Sequence, residues 1–179
     1  MSGQPRPVVI VGDPVLHQPA QCVTDFGTDL ATLIEDMFAT MYVAEGVGLA
    51  APQVGVGLRV FVYDCPDDQG EYHRGHLVNP VITSTSSETD EAEEGCLSVP
   101  GPYAPLARPH QVSVAGVDQT GRPVEVSGTG FFARCLLHET EHLSGTLFID
   151  HLKRRRRARV LAAIEPFPWN ADLPPALSF

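Results

Sequence analysis

Apolar residues recur with a helical period between positions 29 and 44. They fall at the i, i+3, i+4, i+7, i+8, i+11 and i+12 positions, namely Leu30, Leu33, Ile34, Met37, Phe38, Met41 and Tyr42. Such a stripe forms one face of an α-helix, so we expect a core-packing helix over residues 29–44. Thr28 is predicted to cap its N-terminus, and Gly46 is predicted to end it.

Runs of apolar and β-branched residues predict four strands, at residues 58–63, 77–83, 112–117 and 123–126, with a turn at 118–123. Residues 46–57 (GVGLAAPQVGVG) are too rich in glycine for a helix, and we expect a loop that passes close to another part of the chain. The acidic residues 83–94 predict an exposed connection. The prolines that follow argue against regular structure there: Pro100, Pro102, Pro105 and Pro109.

Two further helices are predicted, one at residues 131–144 that ends at Gly145 and one at residues 153–164. Residues 166–179 are predicted to form a proline-rich tail. Since no repeat or linker divides the chain, we expect one domain over residues 1–179.

Composition and charge narrow the class of protein. The chain has 179 residues, 43% of them hydrophobic, and a formal net charge of -10. An acidic balance argues against a main role in DNA or RNA binding. The apolar run at residues 8–11 is too short for an export signal or a membrane span, so we expect a cytoplasmic protein. In that reducing compartment, the four cysteines are expected to be free thiols.

The sequence HETEH, which begins at His138, carries the clearest chemistry. His138 and His142 lie one turn apart on one helical face, about 5–6 Å apart at Cβ, so both imidazoles can reach one divalent ion. Glu139 projects about 100° away, where it can exchange a proton with water activated by that ion. Two solvated histidines are the alternative, but the apolar residues around the motif favour a buried site.

A catalytic metal site usually has three protein ligands, and the third one decides the class of enzyme. A third histidine at the metzincin spacing is missing, because Phe148 stands there. A downstream glutamate of the thermolysin kind could only be Glu165, in a proline-rich region. Cys96, upstream in a glycine- and proline-rich segment, remains.

Three segments, in this order, resemble the signature motifs of the peptide deformylase family. GVGLAAPQ begins at Gly46, EGCLS begins at Glu94 and HETEHLSG begins at His138. The resemblance implies an α+β fold, with antiparallel strands in small sheets packed around a central helix that carries H-E-x-x-H. It also implies metal-dependent hydrolysis of the N-formyl group from N-formyl-methionyl nascent peptides, with release of formate.

The resemblance further implies a role for individual residues. Cys96, His138 and His142 would bind one divalent ion, with Fe2+ favoured in the cell and Zn2+, Ni2+ or Co2+ as alternatives. Glu139 would be the acid and base, and the Gln53 amide and the Leu97 N–H would stabilise the oxyanion. The residues expected to contact substrate are Gly46, Val47, Gly48, Tyr103, Phe131 and Cys135.

Four positions depart from the family pattern. Glu141 stands where an aspartate is usual, Leu137 where a glutamine is usual and Tyr103 where many members have an arginine near the entrance. Arg134 stands where an aliphatic residue is common. We expect these changes to affect substrate preference and rate and to leave the ligands intact.

The basic run KRRRRAR begins at Lys153 and ends at Arg159. A solvated helix face is the simpler interpretation. Contact with the ribosome is the alternative, because some bacterial deformylases dock there through a basic C-terminal helix. Two other functions remain open at the level of sequence, a zinc endopeptidase of another class and a deformylase-like binding protein without activity.

Overall fold

The computed structural model describes residues 3–164. Residues 1, 2 and 165–179, which include Glu165 and the predicted tail, lie outside the described part of the chain. Helix α1 spans Thr28–Val43 and confirms the first predicted helix. The predicted cap was wrong, because Gly27 occupies the N-cap position and no side chain there bonds to the helix.

A five-stranded antiparallel sheet forms the centre of the molecule. Its strand order is β1-β2-β3-β6-β7, so β1 and β7 are its edges. The bounds are β1 Gly48–Ala50, β2 Val60–Pro66, β3 Tyr72–Thr85, β6 Gln111–Val117 and β7 Pro123–Thr129. All four predicted strands are therefore present, and several extend further than predicted.

The glycine-rich segment at residues 46–57 was predicted to be a loop, and this was wrong in part. It contains β1 and a 3-10 helix, Ala51–Val54. Gly55 ends that helix at φ 79, a left-handed conformation that glycine adopts without strain.

A second sheet contradicts two further predictions. The acidic connection and the proline-rich segment form a hairpin of β4, Thr89–Cys96, and β5, Val99–Pro109. The prolines are tolerated because β5 pairs with β4 alone. On the side of an edge strand that has no partner, the N–H group that proline lacks is not needed for pairing. Cys96 lies at the turn, paired with Val99.

Two helices cover opposite faces of the five-stranded sheet. Along β2, Val60 and Val62 pack with α1, whereas Phe61 and Tyr63 pack with helix α2, Gly130–His142. This alternation is the period of two that a strand imposes on its side chains. Helix α2 therefore lies in the core, and the predicted α+β fold around a central helix is confirmed.

The hairpin closes a third apolar cluster with helix α3, Arg154–Ala162, and the 3-10 helices Pro14–His17 and Phe148–His151. This cluster lies beside the C-terminal end of α2. Between residues 3 and 164, no helix is both long enough and apolar enough to cross a membrane.

Candidate active site

A cavity of about 400 Å³ opens between the segment that leads into β1, the β4–β5 hairpin and α2. Every residue that the sequence assigned to the site lines this cavity except His142, which is 1% exposed behind it. The cavity thus brings together residues far apart in sequence: Gly46, Val47, Gly48, Gln53, Cys96, Leu97, Tyr103, Phe131, Cys135, His138 and Glu139.

Cys96, His138 and His142 form a compact set of donor atoms. The two Nε2 atoms lie 3.2 Å apart, and Sγ of Cys96 lies 3.3 Å from Nε2 of His142. The three donor atoms all lie within 4.8 Å of one another. Tetrahedral Zn–N and Zn–S bonds place their ligand atoms roughly 3.3–3.6 Å apart, so these residues fit a divalent metal ion.

His138 is oriented from its far side by a buried carboxylate. Its Nδ1 lies 2.8 Å from Oε1 of Glu94, which leaves Nε2 directed at the other two ligands. Burial opposes a charge on the His138 ring, but the facing Cys96 and Glu94 raise its pKa well above the usual value. Burial and the neighbouring His138 hold the pKa of His142 well below its usual value, so the two rings differ in their preference for a proton.

Glu139 is buried and lines the cavity. Burial raises the pKa of its carboxyl to about 7, against the attraction of His138. Its Oε2 has no hydrogen-bond partner among residues 3–164, although it is buried. Since a buried carboxylate oxygen ordinarily has a partner, this atom marks a place for a group that the protein itself does not supply.

Gln53 is held in one orientation by the backbone. Its Oε1 accepts a hydrogen bond from the N–H of Ala50 at 2.8 Å, so its amide group is directed the other way. That amide lies 3.6 Å from Sγ of Cys96 and 3.3 Å from Oγ of Ser98. A fixed donor thus lies beside Sγ of Cys96, one of the three atoms that could hold a metal ion.

Gly48 allows the edge strand β1 to approach α2 closely. A Cβ at this position would overlap the carboxyl group of Glu139 and lie 2.9 Å from Sγ of Cys135. The predicted close approach of this segment is confirmed, and Glu139 would have to move if residue 48 carried a side chain.

The outer walls of the cavity are apolar and accessible. Val47, Phe131 and Tyr103 are 37%, 46% and 69% exposed, which is high for large apolar or aromatic side chains. Cys135 lies deeper, where the neighbouring Cys65 and burial raise the pKa of its thiol well above the usual value. Cys135 is therefore an uncharged wall residue, as the sequence suggested.

Behind these donor atoms lies a cluster of charged side chains, of which the sequence analysis noted only Glu141 and Arg134, as departures from the family pattern. Arg108 donates to both oxygens of Glu94, at 3.0 and 2.8 Å, and to both oxygens of Glu141, at 2.6 and 2.8 Å. Despite burial, hydrogen bonds from His138 and Arg108 hold the pKa of Glu94 well below its usual value. The longer side chain of Glu141 thus connects to His138 through Arg108 and Glu94.

Two signals in the sequence could have indicated these partners. Glu94 is the first residue of the EGCLS segment, and Glu141 lies within HETEH. Arg108 had no such signal, because it stands in a proline-rich segment that was not expected to form a strand. Leu137, which replaces the usual glutamine, is 5% exposed and packs in the apolar cluster of α2.

Comparison with known proteins gives a consistent result. A family model described as polypeptide deformylase matches residues 5–158. Peptide deformylase 1 of Streptomyces avermitilis is 53% identical over 170 residues, which cover 92% of this chain and 79% of that protein. The peptide deformylase of Mycolicibacterium paratuberculosis is 49% identical over an alignment of 185 positions, which covers 97% of this chain and 92% of that protein.

Solved structures agree over most of the chain. A peptide deformylase from Legionella pneumophila superposes with a TM-score of 0.82 at 43% identity, covering 89% of this chain and 93% of that one. The peptide deformylase of Ehrlichia chaffeensis in complex with actinonin gives a TM-score of 0.83 at 35% identity, with coverage of 89% and 95%.

Proposed function

This chain belongs to the peptide deformylase family of metal-dependent hydrolases, and we propose that its Cys96, His138 and His142 hold the metal ion at which N-formyl groups are hydrolysed. The observation that carries the assignment is the convergence of these donor atoms from two separate elements. Cys96 and His138 line the cavity together with Glu139, whose buried Oε2 has no hydrogen-bond partner among residues 3–164, and His142 lies behind them.

We propose the following division of labour in the reaction. A bound divalent ion supplies Lewis acidity, which makes water a better nucleophile near neutral pH. Glu139 takes a proton from the attacking water and returns it to the amino group that leaves. The Gln53 amide and the Leu97 N–H donate to the oxyanion that develops on the formyl oxygen, and the backbone fixes the orientation of Gln53 in advance.

The substrate is proposed to bind as an extended chain along the segment of Gly46, Val47 and Gly48. Gly48 begins β1, an edge strand of the five-stranded sheet, and an edge strand can accept another strand. The methionine side chain of the substrate is assigned to the apolar part of the cavity, between Phe131 and Cys135. Tyr103, exposed at the mouth, is assigned to the residues that follow the methionine.

We propose Fe2+ as the native ion, in keeping with the family resemblance. One thiolate and two imidazoles suit both Fe2+ and Zn2+, and the site is expected to accept Ni2+ or Co2+ as well. Metal analysis of protein purified without oxygen tests this assignment. Iron at about one equivalent per chain supports it, and zinc at that level, with full activity, contradicts it.

Formate release from formyl-Met-Ala-Ser is the test of the function. Apoprotein is reconstituted in turn with Fe2+, Co2+, Ni2+ and Zn2+, and formate is measured with a coupled dehydrogenase. Turnover with at least one ion is expected, together with inhibition by actinonin, because a related enzyme has been crystallised with it. Absence of formate with every ion would defeat the assignment.

We also propose that the basic run from Lys153 to Arg159 contacts the ribosome, where formylated chains emerge in the cytoplasm. Lys153, Arg154, Arg155 and Arg159 are all exposed, in a protein that is otherwise acidic. Several phosphate contacts would make binding depend steeply on salt. Co-sedimentation with ribosomes between 50 and 200 mM salt, roughly the range over which such contacts weaken, tests this.

The matched variant replaces those four residues with alanine. It is expected to lose co-sedimentation and to cleave formyl-Met-Ala-Ser at the normal rate. Binding that is insensitive to salt, or equal in the variant, contradicts the ribosome contact and leaves the deformylase assignment untouched.

A further inference from the structure

The proposed metal ligands come from two elements that share little backbone contact. Cys96 lies at the turn of the β4–β5 hairpin, whereas His138 and His142 lie on α2. Helix α2 packs far more extensively against the five-stranded sheet than against the hairpin. The geometry of the donor set therefore depends on the side chains that join the hairpin to the helix.

Arg134 makes this connection at three points. It lies one turn before His138 on α2, and its Nη1 donates to Oε2 of Glu94 at 2.8 Å and to the carbonyl of Leu106 at 2.9 Å. Its Nη2 donates to the carbonyl of Asp90 at 2.9 Å. Asp90 and Glu94 belong to β4 and Leu106 belongs to β5, so one guanidinium group holds both strands of the hairpin.

The guanidinium group of Arg134 is also one of the hydrogen-bond donors to Glu94. Arg108 reaches Glu94 from within the hairpin, but Arg134 reaches it from the helix. Arg134 is 5% exposed, and its guanidinium group is directed at three oxygen acceptors in this site. A planar fork of donors can satisfy several oxygens at once, which the single ammonium of a lysine does less well.

We propose that Arg134 is a positioning residue, which fixes the hairpin that carries Cys96 against the helix that carries both histidines. It sets the distance between the thiolate and the imidazoles through Glu94 and the hairpin backbone. This inference rests on the proposed metal site and adds to it a residue outside the ligand set.

The test compares Co2+ binding by Arg134→Met, Arg134→Lys and the wild-type protein, using competition with a chromophoric chelator. Outer partners of metal ligands typically contribute about 10–100-fold to affinity. We expect Arg134→Met to raise the Co2+ dissociation constant at least tenfold and to shift the visible Co2+ spectrum. Arg134→Lys is expected to raise the dissociation constant less than Arg134→Met does, but at least threefold, because lysine keeps the charge and lacks the planar fork of donors.

Arg6→Met is the matched control, since Arg6 forks onto Asp36 at 2.9 and 2.8 Å far from the ligands. It is expected to lower the melting temperature without changing Co2+ affinity. If the Co2+ dissociation constant of Arg134→Met rises less than threefold, the proposal is overturned, whatever the melting temperature of the variant. If that variant does not fold, Arg134→Lys decides by the same threshold. Failure of the wild-type protein to bind Co2+ refutes the metal site itself.

Discussion

Glu94 lies 2.8 Å from Nδ1 of His138, and both side chains are buried. When the carboxylate accepts a hydrogen bond from Nδ1–H, the other ring nitrogen, Nε2, is the atom left to bind a metal ion. Arg108 and Arg134 surround the remaining positions of Glu94 and keep it ionised. The position of His138 thus depends on the charged residues behind it.

Glu94→Gln is expected to weaken metal binding by about 10–100-fold, because an amide cannot accept from His138, Arg108 and Arg134 at once. Chelator competition measures the affinity. Glu93→Gln is the control, since Glu93 is the neighbouring residue and is exposed. Equal affinities in the two variants would show that Glu94 does not orient the ligand.

Glu139→Gln is expected to lower kcat by about 10²–10⁴-fold, the usual contribution of a general acid and base. Metal content should remain near one equivalent, because Glu139 is not among the three donor residues. Formate release and metal analysis on the same preparation separate the two effects. A kcat within tenfold of wild type would remove Glu139 from the proton transfer.

Gly48→Ala is expected to reduce formate release by about 100-fold, an effect of the size that a displacement of about 1 Å in an active site produces. The added Cβ would lie 2.9 Å from Sγ of Cys135 and overlap the Glu139 carboxyl group. Gly57→Ala is the control, because its nearest neighbour would be Cγ2 of Val15 at 3.9 Å. Similar activities in both variants would contradict the close packing.

Exposed acidic side chains at the mouth of the cavity predict a preference for basic substrates. Glu45 and Glu93 are exposed there, while the nearby Arg134 is committed to the hairpin. Formyl-Met peptides with lysine at the third position should therefore be cleaved faster than those with aspartate, by about 2–10-fold, and less so at high salt. Glu45→Gln combined with Glu93→Gln should remove the difference. A preference that persists in the double variant has another origin.

The sequence predicted the helices and the central strands, because their apolar residues recur with clear periods of 3.6 and two. It did not predict the hairpin of β4 and β5, since four prolines and an exposed acidic strand carry no apolar alternation. That hairpin is stable because it packs against residues distant in sequence, such as Leu16 and Phe148.

For the site, the sequence predicted the three proposed metal ligands but not the arginines behind them. His138 and His142 follow from spacing on one helix, and Cys96 followed from the family motif. Arg108 and Arg134 could not be found as partners of Glu94, because their contacts join positions 14 and 40 residues apart. Glu141 stands where an aspartate is usual in the family, and its two hydrogen bonds from Arg108 show how the extra methylene is accommodated.

Cys96 is the proposed third metal ligand, and the Cys96→Ser variant decides whether it binds the ion. Metal content and formate release from formyl-Met-Ala-Ser are measured together for the variant and the wild-type protein, each reconstituted with Co2+. The variant is expected to lose most of its bound metal and at least about 100-fold of its activity, the upper range for a perturbed metal site. A variant that keeps both its metal and its activity would contradict this assignment, because the two histidines would then hold the ion without Cys96.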